Sequence, residues 1–538
     1  VNHLRWSCCT QTATGLGRVP APAASAACQG TPWLGLMWSR RPPRHDTGDG
    51  HPTPVGHRLP HDRPVHTART ALTLGIAEII GKLSMLILTV GAARLLGVAD
   101  FGVFSYALAI GTLAAVVPQW GYDIVVIQRA SADPSRLREL LAELLAMRTL
   151  LVVLVFAVIG GLSGFTSLSG EQGTATGLLI VAAVLMDTYT EAYRSAAAAL
   201  QRQSMMAAVH LAQRLLTAGA ALLALFADTG LTGLAVAFLA GTVVGPVTAA
   251  VLMRRTGYGP RWREMSLAGL VDLNRGTWVI GVASLALMVL FRIDTVMIGW
   301  FAGPSEVGIY AATYRLLETT LFVSFVAART IFPLMASSPE PERIRHFSEQ
   351  GISMMAAVFV PYAVLLWCRG HTVLDVLYGH QFADAGTGML AWLAPAPFLY
   401  GVSYLASYAI VAAGPTLRAL TSSLIALAVN TGLNLALIPS YGGIAAAFTT
   451  SLSYGVYAAA LILLGRARAG TPRLPRAMLA SVTASALACG PLLAPWPFVP
   501  AVFAAAVVYV PAWLFVTQRV DPKQVQVLRR MLRRGRIA

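Results

Sequence analysis

Ionisable side chains interrupt the long apolar stretches of this chain, and eleven of them stand out: Glu78, Lys82, Asp187, Glu191, Arg194, His210, Arg214, Arg292, Asp294, Arg315 and Glu318. A charge in hydrocarbon is costly, so such groups face a cavity or one another, and they serve as ion paths, ligand contacts or internal ion pairs. Glu78 and Lys82 stand four apart, while Asp187, Glu191 and Arg194 step by four and three, which puts each set on one helical face. His210 and Arg214 join the same neighbourhood from the next apolar stretch, and Arg292, Asp294, Arg315 and Glu318 form a second group farther along. Glu78 with Lys82 reads as an ion pair that holds structure, and Arg194 has the option of snorkelling to an interface. No metal-ligand cluster, Walker-type glycine loop or nucleophile elbow is present, so neither a catalytic residue nor a cofactor or metal is expected.

The elements that position these groups must cross lipid. About fourteen apolar segments, each roughly 16 to 29 residues long, fill nearly everything from residue 72 to 516, long enough to cross a roughly 30 Å hydrocarbon core as helices. A spanning helix satisfies its own backbone hydrogen bonds, so the expected fold class is an all-α polytopic membrane protein. Composition agrees, with 56% of residues hydrophobic and 12% charged, where a soluble domain carries about 25% charge. The spans read as 72–95, 102–120, 144–165, 178–194, 206–226 and 231–253, then 277–301, 307–335, 352–367, 389–412, 417–438 and 443–464, then 477–494 and 498–516. Pro395 and Pro397 should bend the tenth, Gly241 and Gly245 form a close-packing pair, and Asn430 and Asn434 suit interhelical hydrogen bonds. The corresponding domains are an N-terminal extension (1–68), a first lobe (69–255), a cytoplasmic linker (256–276), a second lobe (277–466), two further helices (467–518) and a basic tail (519–538). The extension, rich in Pro, Arg and His, reads as disordered or as translated from a start placed too early. Five cysteines, among them Cys368 and Cys489, show no paired spacing and read as plain thiols.

The net charge of +16 raises nucleic acid as a partner, and the placement of the arginines argues for a bilayer instead. Every second connection is basic: Arg129, Arg136 and Arg138; Arg202; Arg254, Arg255, Arg261, Arg263 and Arg275; Arg343 and Arg345; Arg418; Arg466, Arg468, Arg473 and Arg476. The alternate connections hold Asp100, Glu171, Asp228, Glu306, Asp375 and Asp384, with Arg369 alone against the pattern. Cytoplasmic loops keep Lys and Arg, so both termini are expected in the cytoplasm, with Arg529, Arg530, Arg533, Arg534 and Arg536 near anionic headgroups. The chain also repeats itself. Gly97-Val98-Ala99-Asp100-Phe101-Gly102-Val103-Phe104 aligns with Gly303-Pro304-Ser305-Glu306-Val307-Gly308-Ile309-Tyr310, each after an odd number of spans. A parallel repeat of two six-helix bundles follows, with a substrate site expected where the bundles meet.

At these residues the chain resembles the polysaccharide (O-antigen, Wzx-type, RfbX-like) flippases of the multidrug/oligosaccharidyl-lipid/polysaccharide exporter superfamily. The resembling pieces are Arg94-Leu95-Leu96-Gly97 through Asp100-Phe101-Gly102; Asp294-Thr295-Val296-Met297-Ile298-Gly299 leading into Val307-Gly308-Ile309-Tyr310-Ala311-Ala312; Tyr314-Arg315-Leu316; Leu377-Tyr378-Gly379 with Phe382; and Leu437-Ile438-Pro439 with Tyr441-Gly442. The resemblance implies a multi-pass protein of the bacterial cytoplasmic membrane. Its cargo would be an undecaprenyl-diphosphate-linked oligosaccharide, flipped from the inner to the outer leaflet by alternating access, with polysaccharide-assembly proteins as further partners. Arg grips phosphate oxygens bidentately, so Arg214, Arg292 and Arg315 are the expected cations of a central cavity. Glu78, Lys82, Asp187, Glu191, His210, Asp294 and Glu318 are then ion-coupling groups or ion-pair partners. Glu78, Lys82, Asp187, Glu191, Arg194, His210 and Arg214 are expected in the cytoplasmic half of the membrane, and Arg292, Asp294, Arg315 and Glu318 in the outer half.

Two other readings stay open. A multidrug exporter or a lipid II flippase of the same superfamily would share this architecture. An integral-membrane glycosyltransferase, polymerase or ligase would need acidic catalytic residues or a sizeable outer loop, and most outer connections here are short. Asp100 pairs with Glu306 in the repeat and sits among glycines, which points to turn chemistry.

Overall fold

The computed structural model describes residues 64–163, 170–337, 340–413 and 417–520. The N-terminal extension as far as residue 63 and the C-terminal arginine cluster lie outside the described residues. The helices are α1 (Pro64–Gln119), α2 (Tyr122–Ala132), α3 (Leu137–Ser163), α4 (Gly170–Ala199), α5 (Gln203–Phe226), α6 (Gly230–Arg255), α7 (Leu267–Ala302), α8 (Pro304–Ala336), α9 (Pro341–Tyr378), α10 (His380–Leu393), α11 (Ala396–Ala412), α12 (Arg418–Ala469), α13 (Leu474–Leu493) and α14 (Phe498–Val520). Among the described residues, 11 helical stretches are long and apolar enough to cross a membrane, and the shorter 477–493 is apolar too. Two of the 11 exceed fifty residues and are broken within, the first at Gly97 (φ 77°, ψ −179°) and again at the Trp120-Gly121 turn, the second at Gly442 (φ 55°, ψ −139°). The expected first and second spans lie on either side of Gly97, the eleventh and twelfth on either side of Gly442. The outward faces suit lipid: Leu150, Val153, Leu154 and Val158 of α3 are each more than half exposed, an apolar stripe that water would not tolerate.

The two copies of the repeat have one backbone shape. Gly303, between α7 and α8, has φ 86° and ψ 178°, the conformation of Gly97 and one that only glycine adopts without strain. The second glycines of the copies pack against each other. A Cβ at Gly102 would overlap the Pro304 carbonyl oxygen, and one at Gly308 would overlap that of Val98. Beside this seam Phe101 meets Phe382 edge to face at 5.8 Å. Arg94 Nε donates to the Leu377 carbonyl at 2.8 Å and its Nη2 to that of Val376. We call this the glycine end. The basic connections meet at the opposite end, where Arg129 pairs with Asp272 at 2.7 Å, Arg138 Nε donates to the Gly259 carbonyl at 3.0 Å and the Arg473 amide donates to Glu349 at 3.0 Å.

Three local outcomes follow from chemistry. Helix α7 starts at Leu267 rather than at residue 277, because Ser266 accepts from the Gly269 amide at 2.9 Å and caps it; the expected linker 256–276 is therefore partly helical. The tenth span breaks into α10 and α11 with Pro395 at the N-cap of the second. Arg369, the exception to the charge alternation, donates to the carbonyls of Leu492 and Ala494 at the end of α13 and to that of Trp496, satisfying groups that a helix end leaves open. It thereby fastens α13 and α14 to α9, helped by Tyr509, which donates to the Ala357 carbonyl at 2.7 Å. Cys368 and Cys489 face each other across the same contact with sulfurs 3.4 Å apart, a proximity that their sequence spacing does not reveal.

Candidate functional site

Helices of both lobes enclose two cavities that share one wall residue, Asp187. The smaller, about 250 Å³, lies between α1, α4, α5, α6, α7 and α8 and is lined by Arg214, Arg292, Arg315, Glu318, Gln213 and Thr217 among others. Glu318 bridges two of the arginines, 2.6 Å from Arg292 and 2.8 Å from Arg315. Asp187 accepts from Gln213 Nε2 at 2.7 Å and stands 3.9 Å from Arg214. The wall thus holds three guanidiniums against two carboxylates, a net single positive charge. Gln213 Oε1, Thr217 Oγ1 and Arg292 Nε have no protein hydrogen-bond partner, which leaves polar capacity at the cavity. The Gly241 and Gly245 pair brings α6 against these groups: a Cβ at Gly241 would overlap Thr217, and one at Gly245 would overlap Gln213 and Thr190.

The larger cavity, about 520 Å³, lies toward the basic end and is lined by Trp120, Asp123, Asp187, Glu191, Arg194, Phe291, Tyr400, Tyr404, Ser407 and Tyr457 among others. Its aromatic wall is ordered by packing, with Tyr400 and Tyr404 stacked at 5.8 Å and Phe291 edge-on to Tyr400 at 5.3 Å. Three carboxylates face one guanidinium, Arg194, whose Nη1 lies 2.6 Å from Glu191. Arg148 on α3 is fully buried behind this wall, 2.9 Å from Asp123 and donating also to the Thr188 carbonyl. The Trp120-Gly121 turn, with φ 33° and 78°, carries the indole onto α7, where a Cβ at Gly281 would overlap the ring.

The expected cavity cations Arg214, Arg292 and Arg315 therefore come together, with Glu318 and Asp187 beside them. Arg214 and Asp187 of the first lobe face Arg292 and Arg315 of the second across one space. Glu191 lines the larger cavity. His210 is buried with Nδ1 unpartnered and lines neither cavity. Asp294 is 1% exposed and accepts from Thr450 at 2.9 Å, from the Thr295 amide at 2.8 Å and from Tyr310; its contacts join helices. Glu78 and Lys82 pair at 3.8 Å with half-exposed side chains outside both cavities. Asn434 bonds Asn430 at 3.2 Å along one helix rather than between helices. Sequence reasoning missed Asp123, Arg148 and the tyrosines. Arg148 carried the signal used for the others, a charge within an apolar span, whereas the tyrosines read as ordinary core.

Residues 92–386, more than half of the chain, match the family described as polysaccharide biosynthesis protein. The chain belongs to that family. The chain is 22% identical over 392 residues to the probable low-salt glycan biosynthesis flippase Agl15 of Haloferax volcanii, covering 72% of the chain and 81% of the relative. Its fold matches a lipid II flippase, MurJ, in an inward closed conformation, with a TM-score of 0.68, 12% identity and coverage of 84% of this chain and 99% of that one. It also matches an inward-facing multidrug resistance transporter of the MOP superfamily, with a TM-score of 0.60, 15% identity and coverage of 74% and 98%. At such identities the two structures show the fold alone. The chain is thus a multi-pass membrane protein with the fold of these transporters, and its relatives are a flippase and transporters rather than enzymes.

Proposed function

We propose that the protein flips a polyprenyl-diphosphate-linked oligosaccharide from the inner to the outer leaflet of the bacterial cytoplasmic membrane by alternating access of its two lobes. The observation that carries this reading is the convergence of Arg214 from α5, Arg292 from α7 and Arg315 from α8 on one cavity. A diphosphate cannot cross hydrocarbon bare, and three guanidiniums that outnumber their two carboxylate partners offer it charge-assisted hydrogen bonds. The glycan would occupy the larger cavity, whose carboxylates accept hydrogen bonds from sugar hydroxyls and whose rings offer flat apolar faces. Its volume of about 520 Å³ falls within the ordinary range of ligand sites, about 300–1,000 Å³. The basic end faces the cytoplasm in this reading, and the fourteen apolar segments each cross the bilayer once. Asp187, standing in both walls, is the foremost group through which an ion gradient would couple, with Glu191 and His210 after it. Unchanged flipping after the ion gradients are collapsed would remove that coupling.

The test is a leaflet-accessibility assay in proteoliposomes carrying a polyprenyl-diphosphate-linked oligosaccharide. Arg292→Ala and Arg315→Ala, each normally folded, should slow flipping about ten- to hundredfold, and wild-type rates in both would end the proposal. The larger cavity's excess of carboxylates favours a second reading, export of an organic cation. Competition between the lipid-linked oligosaccharide and a hydrophobic cation in the same vesicles separates the two.

A further inference from the structure

A second cluster of chemistry-bearing side chains lies at the glycine end, outside both cavities. The corner between α9 and α10 carries His371, Asp375, His380 and Asp384. Each helix end contributes one His and one Asp four residues apart, a spacing that places both on one helical face and suits chelation. Gly379, with φ 98° and ψ 170°, reverses the chain between the two pairs and turns them toward each other. His371 Nε2 lies 2.9 Å from Asp384 Oδ1, and His380 Nδ1 lies 3.4 Å from Asp375 Oδ1. One ligand atom from each of His371, His380 and Asp384 falls within 4.8 Å of the others.

We propose that this corner binds a divalent transition-metal ion of the zinc class through His371, His380 and Asp384, with Asp375 as the outer partner that holds His380. Two imidazoles and a carboxylate suit zinc, which takes such N and O donors in four-coordinate sites and leaves a fourth position to water, whereas calcium and magnesium take oxygen. Ligand atoms about 2.0–2.2 Å from a tetrahedral ion stand roughly 3.3–3.6 Å from one another. The three side chains are exposed, so small rotamer changes close the remaining gap. The carboxylate behind His380 is the arrangement that fixes the tautomer and orientation of a metal-bound imidazole. Neither pair alone is a ligand set, so the sequence raises no metal at this corner; the turn at Gly379 brings the two pairs together.

The site also has a place in the fold. The Val376 and Leu377 carbonyls that accept from Arg94 lie between the two His–Asp pairs. A bound ion therefore stiffens the corner that receives Arg94 from the other lobe.

The test is zinc titration of tag-free, chelator-stripped full-length protein by calorimetry, with cobalt(II) absorption as a second readout. The N-terminal extension has six histidines of its own, so the informative quantity is the difference between the wild type and the double variant His371→Ala/His380→Ala. The expected result is that the variant, unchanged in metal-free thermal unfolding, lacks one micromolar equivalent and the visible band of four-coordinate cobalt. Asp375→Asn should keep the equivalent and weaken it by about 10–100-fold, as outer partners of metal ligands do. Identical titrations of wild type and double variant, or a difference seen only at millimolar zinc, would overturn the proposal.

Discussion

The two cavities differ in charge and surface although they share a wall. The smaller is lined by Arg214, Arg292 and Arg315 with a net positive charge, while the larger carries three carboxylates, one arginine and a bank of aromatic rings. Both are built at the lobe junction, yet the cations come from α5, α7 and α8, and the rings come chiefly from α11 and α12 of the second lobe. An amphiphile whose headgroup joins a diphosphate to neutral sugars needs these two environments side by side. A cation-exporting cavity would need only the second, and an anion channel only the first. Asp187 is where they meet, and its two oxygens face Gln213 and Arg214.

The comparison breaks first at Arg148. This side chain is fully buried and donates to Asp123 at 2.9 Å and to the Thr188 carbonyl, and hydrogen bonds of a charged group are worth about 1.5–3 kcal/mol each, so losing both costs about 3 kcal/mol or more. Arg148→Met should lower the denaturant midpoint of unfolding in detergent by a corresponding amount; an unchanged midpoint would show that the acidic wall stands without it. Next in size is the arginine cavity. A charged hydrogen bond is worth about 1.5–3 kcal/mol, or about ten- to hundredfold in rate, so Arg315→Ala should slow flipping by that factor. Arg315→Lys keeps the charge but loses bidentate geometry and should recover only part of it. Full recovery with lysine would mean that the cavity reads charge alone. The aromatic wall comes third. Tyr404→Leu should weaken transport of the glycan-bearing lipid about three- to tenfold and leave a bare polyprenyl diphosphate untouched, so equal losses for both cargos would erase the division between the cavities.

The two cavities were not equally legible in the sequence. Charges inside apolar spans are rare and costly, so Arg214, Arg292, Arg315 and Glu318 announced themselves, and the alternation of basic connections ordered the helices. The repeat was legible because Gly97 and Gly303 hold a backbone shape that no other residue takes without strain. Tyr400, Tyr404 and Tyr457 carried no such signal, since a tyrosine on an apolar helix is as much at home in the core, and whether its face opens on a cavity depends on helices far away in sequence. The same holds for Asp187, whose place in both walls depends on α5 and α7 as much as on its own helix. His371, Asp375, His380 and Asp384 were hidden for the opposite reason: their spacing is local, but only the turn at Gly379 gives it meaning.

The smallest expected effect concerns what lies outside both cavities. Glu78 and Lys82 are charged, four apart and close in sequence to residues that line the arginine cavity, so a reading from sequence alone groups them with the site. Their side chains are half exposed and pair at 3.8 Å, and exposed pairs at this helical spacing are worth only about 0.3–0.5 kcal/mol. Glu78→Gln/Lys82→Gln should therefore unfold like the wild type and flip at a rate within about twofold of it. A tenfold loss of flipping in that variant, with stability unchanged, would extend the site beyond the arginine cavity. The contact of Lys82 with the Phe325 ring across the lobes, 5.9 Å from the centroid, would then become the place to look, since it is the element of this pair that must change when the lobes move apart.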